Sequence, residues 1–165
     1  MEDLKFIENY LNRYKSSLFK TDVSKQIIKM KEMLVEIKKN GSKVIIAGNG
    51  GSAAIASHVT VDFTKQGGIR TVNFNEPDLI TCFANDYGYE RWIAKAVEFY
   101  GDEGDLVILI SSSGNSENIV NAAKTAKSMG MTVITFTGFK SDNPLNQEGH
   151  LNFWLDSKAY NIIEN

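Results

Sequence analysis

The first 40 residues carry apolar side chains at the spacing of amphipathic helices. Between Leu4 and Lys39, apolar positions three and four residues apart include Ile27, Met30, Met33, Leu34 and Ile37. This period predicts helix. Asn40-Gly41 is typical of a helix C-terminus, and Thr21-Asp22 can cap a second helix start. We therefore predict a pair of helices over residues 1–40.

A further apolar stripe lies at the far N-terminus. It consists of Leu4, Ile7, Tyr10, Leu11 and Tyr14. An apolar helix face of this kind is unfavourable in water. The helix pair could simply cover one face of a sheet, or it could also pack against another subunit. The stripe favours an oligomer contact.

After Gly41, short β-branched apolar runs alternate with helical stretches. The runs, each predicted to be a strand, are Lys43–Ala47, Ile69–Phe74, Leu106–Ile110, Thr132–Thr137 and Leu151–Leu155. Helices are predicted over about 52–65, 89–100 and 116–129. The third run is apolar throughout, as in a central parallel strand that is covered on both faces. The alternation predicts a three-layer α/β fold with a doubly wound, five-stranded parallel sheet over residues 41–165.

Composition narrows the class of protein. The 165 residues are 42% hydrophobic and 23% charged, which fits one globular domain and excludes disordered and fibrous proteins. Eighteen Lys and Arg against 20 Asp and Glu give a net charge of −2. We therefore expect no basic surface for nucleic acid or for an anionic membrane, and an anionic ligand must be held by local groups.

The sequence also indicates in which cellular compartment the protein is found. Cys82 is the one cysteine, so no internal disulfide can form, and no apolar stretch approaches the roughly 20 residues of a membrane span. Met1-Glu2-Asp3 lacks the basic and apolar regions of a signal peptide. We therefore expect a cytoplasmic protein without a membrane partner.

The first predicted strand runs into a glycine-rich turn, Gly48-Asn49-Gly50-Gly51-Ser52, where a helix begins. Ligands of such sheets bind at the carboxyl ends of the strands. Glycines let the backbone approach a ligand closely, and Ser52 can cap the helix, whose free N–H groups favour an anion. The alternative is a tight strand-to-helix connection without a ligand. Neither G-x-G-x-x-G nor G-K-[ST] occurs, so we expect no nucleotide cofactor.

The third predicted strand ends in a second turn of this kind, Ser111-Ser112-Ser113-Gly114-Asn115-Ser116. Helix capping needs one serine and packing needs none, so four serines in six residues indicate a ligand. Serine hydroxyls and helix N-terminal amides bind phosphate without a lysine. A nearly neutral protein can therefore hold a phosphorylated ligand here.

Together with Asn85-Asp86-Tyr87-Gly88-Tyr89, the two turns carry a resemblance to a known family. In this order and spacing they resemble the sugar isomerase (SIS) domain, and within it the phosphoheptose isomerases. The resemblance covers essentially the whole chain, residues 1–165, as a single domain. It implies a flavodoxin-like sheet and a homotetramer with active sites at subunit interfaces. It also implies interconversion of sedoheptulose 7-phosphate and D-glycero-D-manno-heptose 7-phosphate through an enediol, for bacterial heptose, lipopolysaccharide or capsule synthesis.

The resemblance also implies which residues bind the substrate, a phosphorylated sugar. Residues in the second turn would bind the phosphate: Ser111, Ser113 and Ser116, with Ser112 at a position that is often threonine. Residues in the other two motifs would bind the sugar: Asn49, Gly50, Gly51, Ser52, Asn85 and Asp86.

Aldose–ketose isomerisation needs a base, a proton donor for the oxygens and a firm hold on the distal phosphate. In the resembled family a histidine, and a glutamate four residues later, follow the first turn, and the glutamate is the base. Here these positions are His58 and Asp62. The i, i+4 spacing puts both on one helix face, where they could act together or form a plain surface contact. Aspartate is one methylene shorter, and a misplacement of about 1 Å can lower the rate about 100-fold.

Some members of the resembled family bind zinc at these two positions, with a glutamine and a second histidine from the closing helix. The glutamine position is Glu164 here, so His58, Asp62 and Glu164 are the candidate zinc ligands. The second histidine, which would also act as acid or base, should lie about two turns beyond Glu164. We expect that the chain is truncated or that a further tail carries this histidine.

Two other classes of function remain open. A non-catalytic sugar-phosphate-binding or scaffolding SIS protein, of the kind that acts in replication or transcription control, would keep the serine turn but not the catalytic pair. Asp62 and the missing histidine motivate this alternative. A dinucleotide-binding fragment would bind NAD, but the glycine spacing argues against it.

Overall fold

The computed structural model describes residues 2–19 and 21–164. Its strands are β1 (Val44–Gly48), β2 (Thr71–Val72), β3 (Leu106–Ser111), β4 (Thr132–Thr137) and β5 (Leu151–Trp154). Its helices are α1 (Glu2–Phe19), α2 (Ser24–Asn40), α3 (Gly51–Lys65), α4 (Pro77–Tyr87), α5 (Trp92–Tyr100), α6 (Glu117–Ser128), α7 (Pro144–Glu148) and α8 (Tyr160–Ile163). Within the described ranges, no helix is both long and apolar enough to cross a membrane.

The predicted N-terminal helix pair is confirmed, as is the end of its second helix at Gly41. The N-cap of α2 is Val23, without a capping side chain, so Thr21-Asp22 precedes the helix start instead of occupying the cap position. The Asp22 carboxylate accepts a hydrogen bond from the Ser24 N–H at 2.9 Å, just where α2 begins. Gly41 ends α2 with a φ of +71°, which glycine adopts without a steric penalty.

The five strands form one parallel sheet in the order β2-β1-β3-β4-β5. Strand order reverses between β1 and β3, and this switch point is where doubly wound sheets bind ligands. The two strands pair from Val44 opposite Leu106 to Gly48 opposite Ile110. The predicted flavodoxin-like sheet is therefore confirmed, with the carboxyl ends of β1 and β3 side by side.

Helices cover both faces of the sheet and make three layers. On one face, α4 to α7 pack over a core that includes Trp92, Ile93 and Leu145. On the other face, α2 and α3 contribute Ile37 and Ala56. The middle strand, β3, is buried on both faces, as its uninterrupted apolar run predicts.

The sequence pattern predicts neither α4 nor α7, and it overestimates the length of β2. Helix α4 begins at Pro77, where a missing N–H costs no helical hydrogen bond, and it packs Leu79 and Phe83 against the core. The strand predicted over 69–74 shortens to Thr71–Val72, because only these two residues pair with β1.

An ion-paired cluster lies at the sheet edge opposite the carboxyl ends. Lys43 precedes β1, and its Nζ lies 2.5 Å from Oδ2 of both Asp102 and Asp105. Asp105 is 2% exposed, whereas the side chain of Asp102 is 82% exposed. Burial lowers the pKa of the Lys43 ammonium, but the two carboxylates outweigh burial and leave the pKa raised. The hydrogen bond from Lys43 in turn lowers the pKa of the Asp102 carboxyl.

We expect Lys43→Met to lower the free energy of unfolding by about 3 kcal/mol, because Asp105 stays buried without its counter-charge. Asp102→Asn removes only an exposed partner and should lower the free energy of unfolding by less than Lys43→Met does. Because folding raises the Lys43 pKa, its stabilisation is full below the ordinary value of 10.5 and is lost as pH rises through the raised value. Urea unfolding at neutral and alkaline pH measures these effects, and equal losses in the two variants at neutral pH would contradict the account.

Candidate functional site

The two loops predicted to bind an anion lie side by side at the carboxyl edge of the sheet. Because Gly48 of β1 is opposite Ile110 of β3, the loops begin at the same level. Together they form a pocket of about 130 Å³. It is lined by Asn49, Ser52, Ile110, Ser111, Ser112, Ser113, Ser116, Tyr160 and Glu164. The structure thus brings together most of the residues predicted to bind the substrate.

Gly50 and Gly51 shape the first loop instead of lining the pocket. Gly50 is the N-cap of α3 with a φ of +55°, a conformation that favours glycine. A Cβ at Gly51 would lie 2.5 Å from Glu164 Oε2, so glycine leaves room for this carboxylate. The prediction that Ser52 caps the helix is wrong. Gly50 takes the cap position, and the buried Ser52 lies in the first turn, where it lines the pocket.

The serine hydroxyls of the second loop are not used to cap α6. Ser116 is the N-cap residue, but its side chain makes no capping hydrogen bond. Its Oγ lies 3.1 Å from Ser111 Oγ, and Ser113 Oγ accepts the Asn115 N–H at 3.2 Å. A hydroxyl can rotate to turn its proton toward a ligand. The loop therefore presents several donors where the N-terminus of α6 also favours an anion.

Gly114 holds the serine loop against α7. It has a φ of +67°, and a Cβ there would lie 1.9 Å from Asn143 Oδ1. Its carbonyl accepts the Leu145 N–H at 3.0 Å. The buried Asn143 caps α7 by accepting the Asn146 N–H at 2.8 Å. The sequence motifs do not point to Asn143, although Asn followed by Pro144 is a helix-start signal.

The pocket suits an anion although no described cation lines it. Among residues 2–19 and 21–164, no lysine or arginine belongs to its lining. The N-termini of α3 and α6 open on the pocket, and their free N–H groups carry partial positive charge. The one charged group in the lining is the Glu164 carboxylate, whose Oε1 accepts a hydrogen bond from Ser112 Oγ at 2.8 Å. Ser112 is thus engaged by Glu164, which leaves the other three serines of this loop, and Ser52 of the first loop, for an anionic ligand.

Asn118 is a buried residue of the site that the sequence motifs do not reveal. It lies in the first turn of α6, 3% exposed, and forms two hydrogen bonds of 2.9 Å with Asn49, one in each direction. The Tyr89 hydroxyl donates to Asn49 Oδ1 at 3.2 Å. The available signal is weak, since it is only an amide two residues after the serine loop.

His58 and Asp62 lie outside the pocket, on the exposed side of α3. His58 Nε2 is 3.4 Å from Asp62 Oδ2, so the predicted i, i+4 contact forms. The side chains are 80% and 54% exposed. At 1.5 Å of rise per residue, they lie about 9 Å and about 15 Å beyond Ser52 along the helix. Helix α3 therefore leads from the pocket to this pair.

Asn85 and Asp86 are also outside the pocket in the single chain. Both are exposed on the last turn of α4, where Asn85 Nδ2 donates to Asp86 Oδ1 at 2.9 Å. The pocket lining includes neither residue. Another residue of their motif, Tyr89, reaches the site through its hydrogen bond with Asn49.

The three candidate zinc ligands are not brought together. Glu164 lies in the pocket, whereas His58 and Asp62 lie farther along α3. Among residues 2–19 and 21–164, no group of three His, Cys, Asp or Glu side chains is placed to hold a metal ion. The donors of one chain therefore do not fit a zinc site, and zinc binding stays a prediction.

Comparison with known proteins identifies the family. Residues 8–138 match the SIS domain. The chain belongs to the SIS domain family. It is 40% identical over 119 residues to the phosphoheptose isomerase of Fusobacterium nucleatum, which covers 69% of this chain and 61% of that protein. With the phosphoheptose isomerase of Burkholderia pseudomallei the identity is 38% over 133 residues, covering 67% of this chain and 68% of that protein. This SIS chain thus spans only 61% of the length of the Fusobacterium relative.

Two solved structures share the fold of the SIS chain over nearly its whole length. The phosphoheptose isomerase of Francisella tularensis superposes with a TM-score of 0.90 at 28% identity, covering 99% of this chain and 91% of that one. The phosphoheptose isomerase of Neisseria gonorrhoeae gives a TM-score of 0.87 at 26% identity, with the same coverage. The fold implied by the three motifs is therefore confirmed.

If the serine loop binds the phosphate of a phosphorylated sugar, we expect Ser111→Ala combined with Ser113→Ala to weaken binding of such a sugar at least about 100-fold, because two hydrogen bonds to a charged group are lost. Ser128→Ala, at the far end of α6, is the matched control and should leave the affinity unchanged. Isothermal titration calorimetry measures both. Wild-type affinity in the double variant would place the phosphate elsewhere.

Proposed function

We propose that this SIS protein is a phosphosugar isomerase that interconverts sedoheptulose 7-phosphate and D-glycero-D-manno-heptose 7-phosphate. The observation that carries the proposal is the pocket in which serine hydroxyls and two helix N-termini converge without a cation. Neutral donors of this kind suit a phosphate. The similarity to proteins identified as phosphoheptose isomerases supports a seven-carbon sugar.

In this proposal the phosphate anchors the end of the sugar that does not react. The phosphate is carried on C7, whereas the chemistry takes place at C1 and C2. With the phosphate in the serine loop, the sugar extends along α3 toward His58 and Asp62, which lie about 9 Å and about 15 Å from Ser52. Holding the distal end in this way fixes the reacting carbons relative to the base.

Asp62 is the proposed base. Its carboxylate takes a proton from C1 of the ketose, which gives an enediol, and returns a proton to C2. A second proton passes from the oxygen on C1 to the oxygen on C2, and the product is an aldose of the same composition. His58 is placed to carry this second proton, because its Nε2 lies 3.4 Å from Asp62 Oδ2.

We expect Asp62→Asn to bind sedoheptulose 7-phosphate with wild-type affinity and to lose at least about 100-fold in kcat, since an amide cannot accept the C1 proton. Asp78→Asn, an exposed aspartate on α4, is the control and should keep full activity. Turnover is followed by NMR of the sugar phosphates, with binding measured separately. Retained turnover in Asp62→Asn would remove this residue as the base.

A second candidate function is sugar-phosphate binding without catalysis. It is favoured by the position of His58 and Asp62, which are exposed and outside the pocket in the single chain, and by the shorter side chain at the position of the family's glutamate. A binding protein of this kind would bind sedoheptulose 7-phosphate saturably and convert none of it. The NMR turnover assay on the wild-type protein separates the two functions, because only an isomerase converts the bound sugar phosphate.

We further propose that the protein is a homotetramer in which the N-terminal helices pack against other copies and the active sites lie at subunit interfaces. Helix α1 contributes no buried residue to its own chain. Its exposed apolar side chains include Leu4, Ile7 and Leu11, which share one face of the helix, and Phe6, which lies on another. An exposed apolar face such as that of Leu4, Ile7 and Leu11 indicates a protein contact. The exposed His58 and Asp62 would then be enclosed by a neighbouring copy.

We expect Leu4→Lys combined with Leu11→Lys to dissociate the tetramer and to lower turnover, because the two charges would be buried in the interface. Asn9→Lys adds a charge on the opposite side of α1 and should leave both properties unchanged. Light scattering after size-exclusion chromatography gives the mass. A wild-type monomer with full activity would contradict the proposed assembly.

A further inference from the structure

The side-chain amide of Asn49 has a fixed orientation, because its hydrogen-bond partners determine which of its two terminal atoms is the oxygen. Asn118 Oδ1 accepts the Ile119 N–H at 3.0 Å, which identifies this atom as the carbonyl oxygen. Asn118 Nδ2 is then the donor to Asn49 Oδ1, and Asn49 Nδ2 donates to Asn118 Oδ1 in return, each at 2.9 Å. Because Asn118 is buried, water does not compete for these bonds.

With respect to the residues that the structure describes, the side-chain amide of Asn49 is left with a single free hydrogen-bonding group. Its Oδ1 accepts from both Asn118 Nδ2 and the Tyr89 hydroxyl, and two donors occupy both lone pairs. One N–H of its Nδ2 is taken by Asn118. The second N–H is the remaining donor, on a residue that lines the serine pocket.

We propose that Asn118 is a positioning residue that holds Asn49 as a hydrogen-bond donor to an oxygen of the sugar phosphate. The inference rests on the proposed function and deepens it. A phosphate oxygen of the ligand accepts such a bond, whereas a group that can only donate is rejected. Asn118 itself does not line the pocket, so it acts through Asn49.

The hydrogen bonds of Asn49 with Asn118 and Tyr89 also connect three parts of the fold around the pocket. Asn49 follows β1, Asn118 lies in α6 directly after the serine loop, and Tyr89 comes from the turn between α4 and α5. Loss of Asn118 would leave Asn49 with Tyr89 as its partner, and Tyr89 is 57% exposed. The freed amide would then rotate and no longer hold its N–H toward the ligand, so the hydrogen bond of Asn49 to the ligand would be lost.

The test is a double-mutant cycle in the affinity for sedoheptulose 7-phosphate, measured by calorimetry on wild type, Asn49→Ala, Asn118→Ala and the double variant. If Asn118 acts through Asn49, each single change should weaken binding about tenfold, and the double variant should also lose about tenfold. If the role of Asn118 is merely structural, the loss of Asn118 and the loss of Asn49 should weaken binding independently. The double variant would then lose about 100-fold in affinity. The additive result overturns the inference, as does wild-type affinity in Asn118→Ala.

Two further variants complete the experiment. Asn121→Ala removes another amide of α6, which donates to the Glu90 carbonyl away from the pocket, and should leave the affinity unchanged. Asn118→Leu keeps the number and branching of the side-chain heavy atoms and replaces Asn118→Ala if the latter does not fold. Wild-type protein that fails to bind the sugar phosphate would overturn the proposed function and this inference with it. If the wild-type protein binds the sugar phosphate but the effects of the two single variants add up in the double variant, only the inference about Asn118 is overturned.

Discussion

Backbone pairing between β1 and β3 sets Gly48 opposite Ile110 and so brings two strand-to-helix loops to one edge of the sheet. Neither loop makes a site alone, because the glycine turn supplies Asn49 and the start of α3, whereas the hydroxyls come from the serine turn. Since parallel strands end at the same edge, the register of one ladder decides where all these donors lie. The apolar run of β3 that buries the strand on both faces is therefore also what positions the ligand site.

An anion in this pocket would be held by neutral groups, so a chain of net charge −2 needs no basic surface to bind a phosphate there. Hydroxyls and helix N-termini are fixed by the fold, so little side-chain entropy is lost when a ligand binds. Glu164 modifies this picture, because its carboxylate takes the Ser112 hydroxyl and packs against Gly51. A bound phosphate must therefore rely on the three other serines of the serine turn, on Ser52 and on Asn49.

Features encoded within a few neighbouring residues could be predicted from the sequence, including the strands, the helix pair and both anion loops. Features that depend on distant contacts could not. Asn143 and Asn118 act through partners on other elements, and nothing local marks Gly50 over Ser52 as the cap of α3. Helix α4 is not among the predicted helices; its start at Pro77 closely follows a predicted strand, and a proline marks a boundary without saying which element begins there. The roles of His58 and Asp62 depend on what covers α3, which sequence motifs do not specify.

The most direct test of the central claim is a crystal structure of the protein with sedoheptulose 7-phosphate bound. The account predicts a phosphate in the pocket between the two loops, within hydrogen-bond distance of the hydroxyls of Ser111, Ser113 and Ser116, with the Asn49 amide nitrogen directed at a ligand oxygen. It also predicts that C1 and C2 of the sugar lie beside α3 near Asp62. A phosphate held by lysine or arginine side chains outside this pocket would contradict the account.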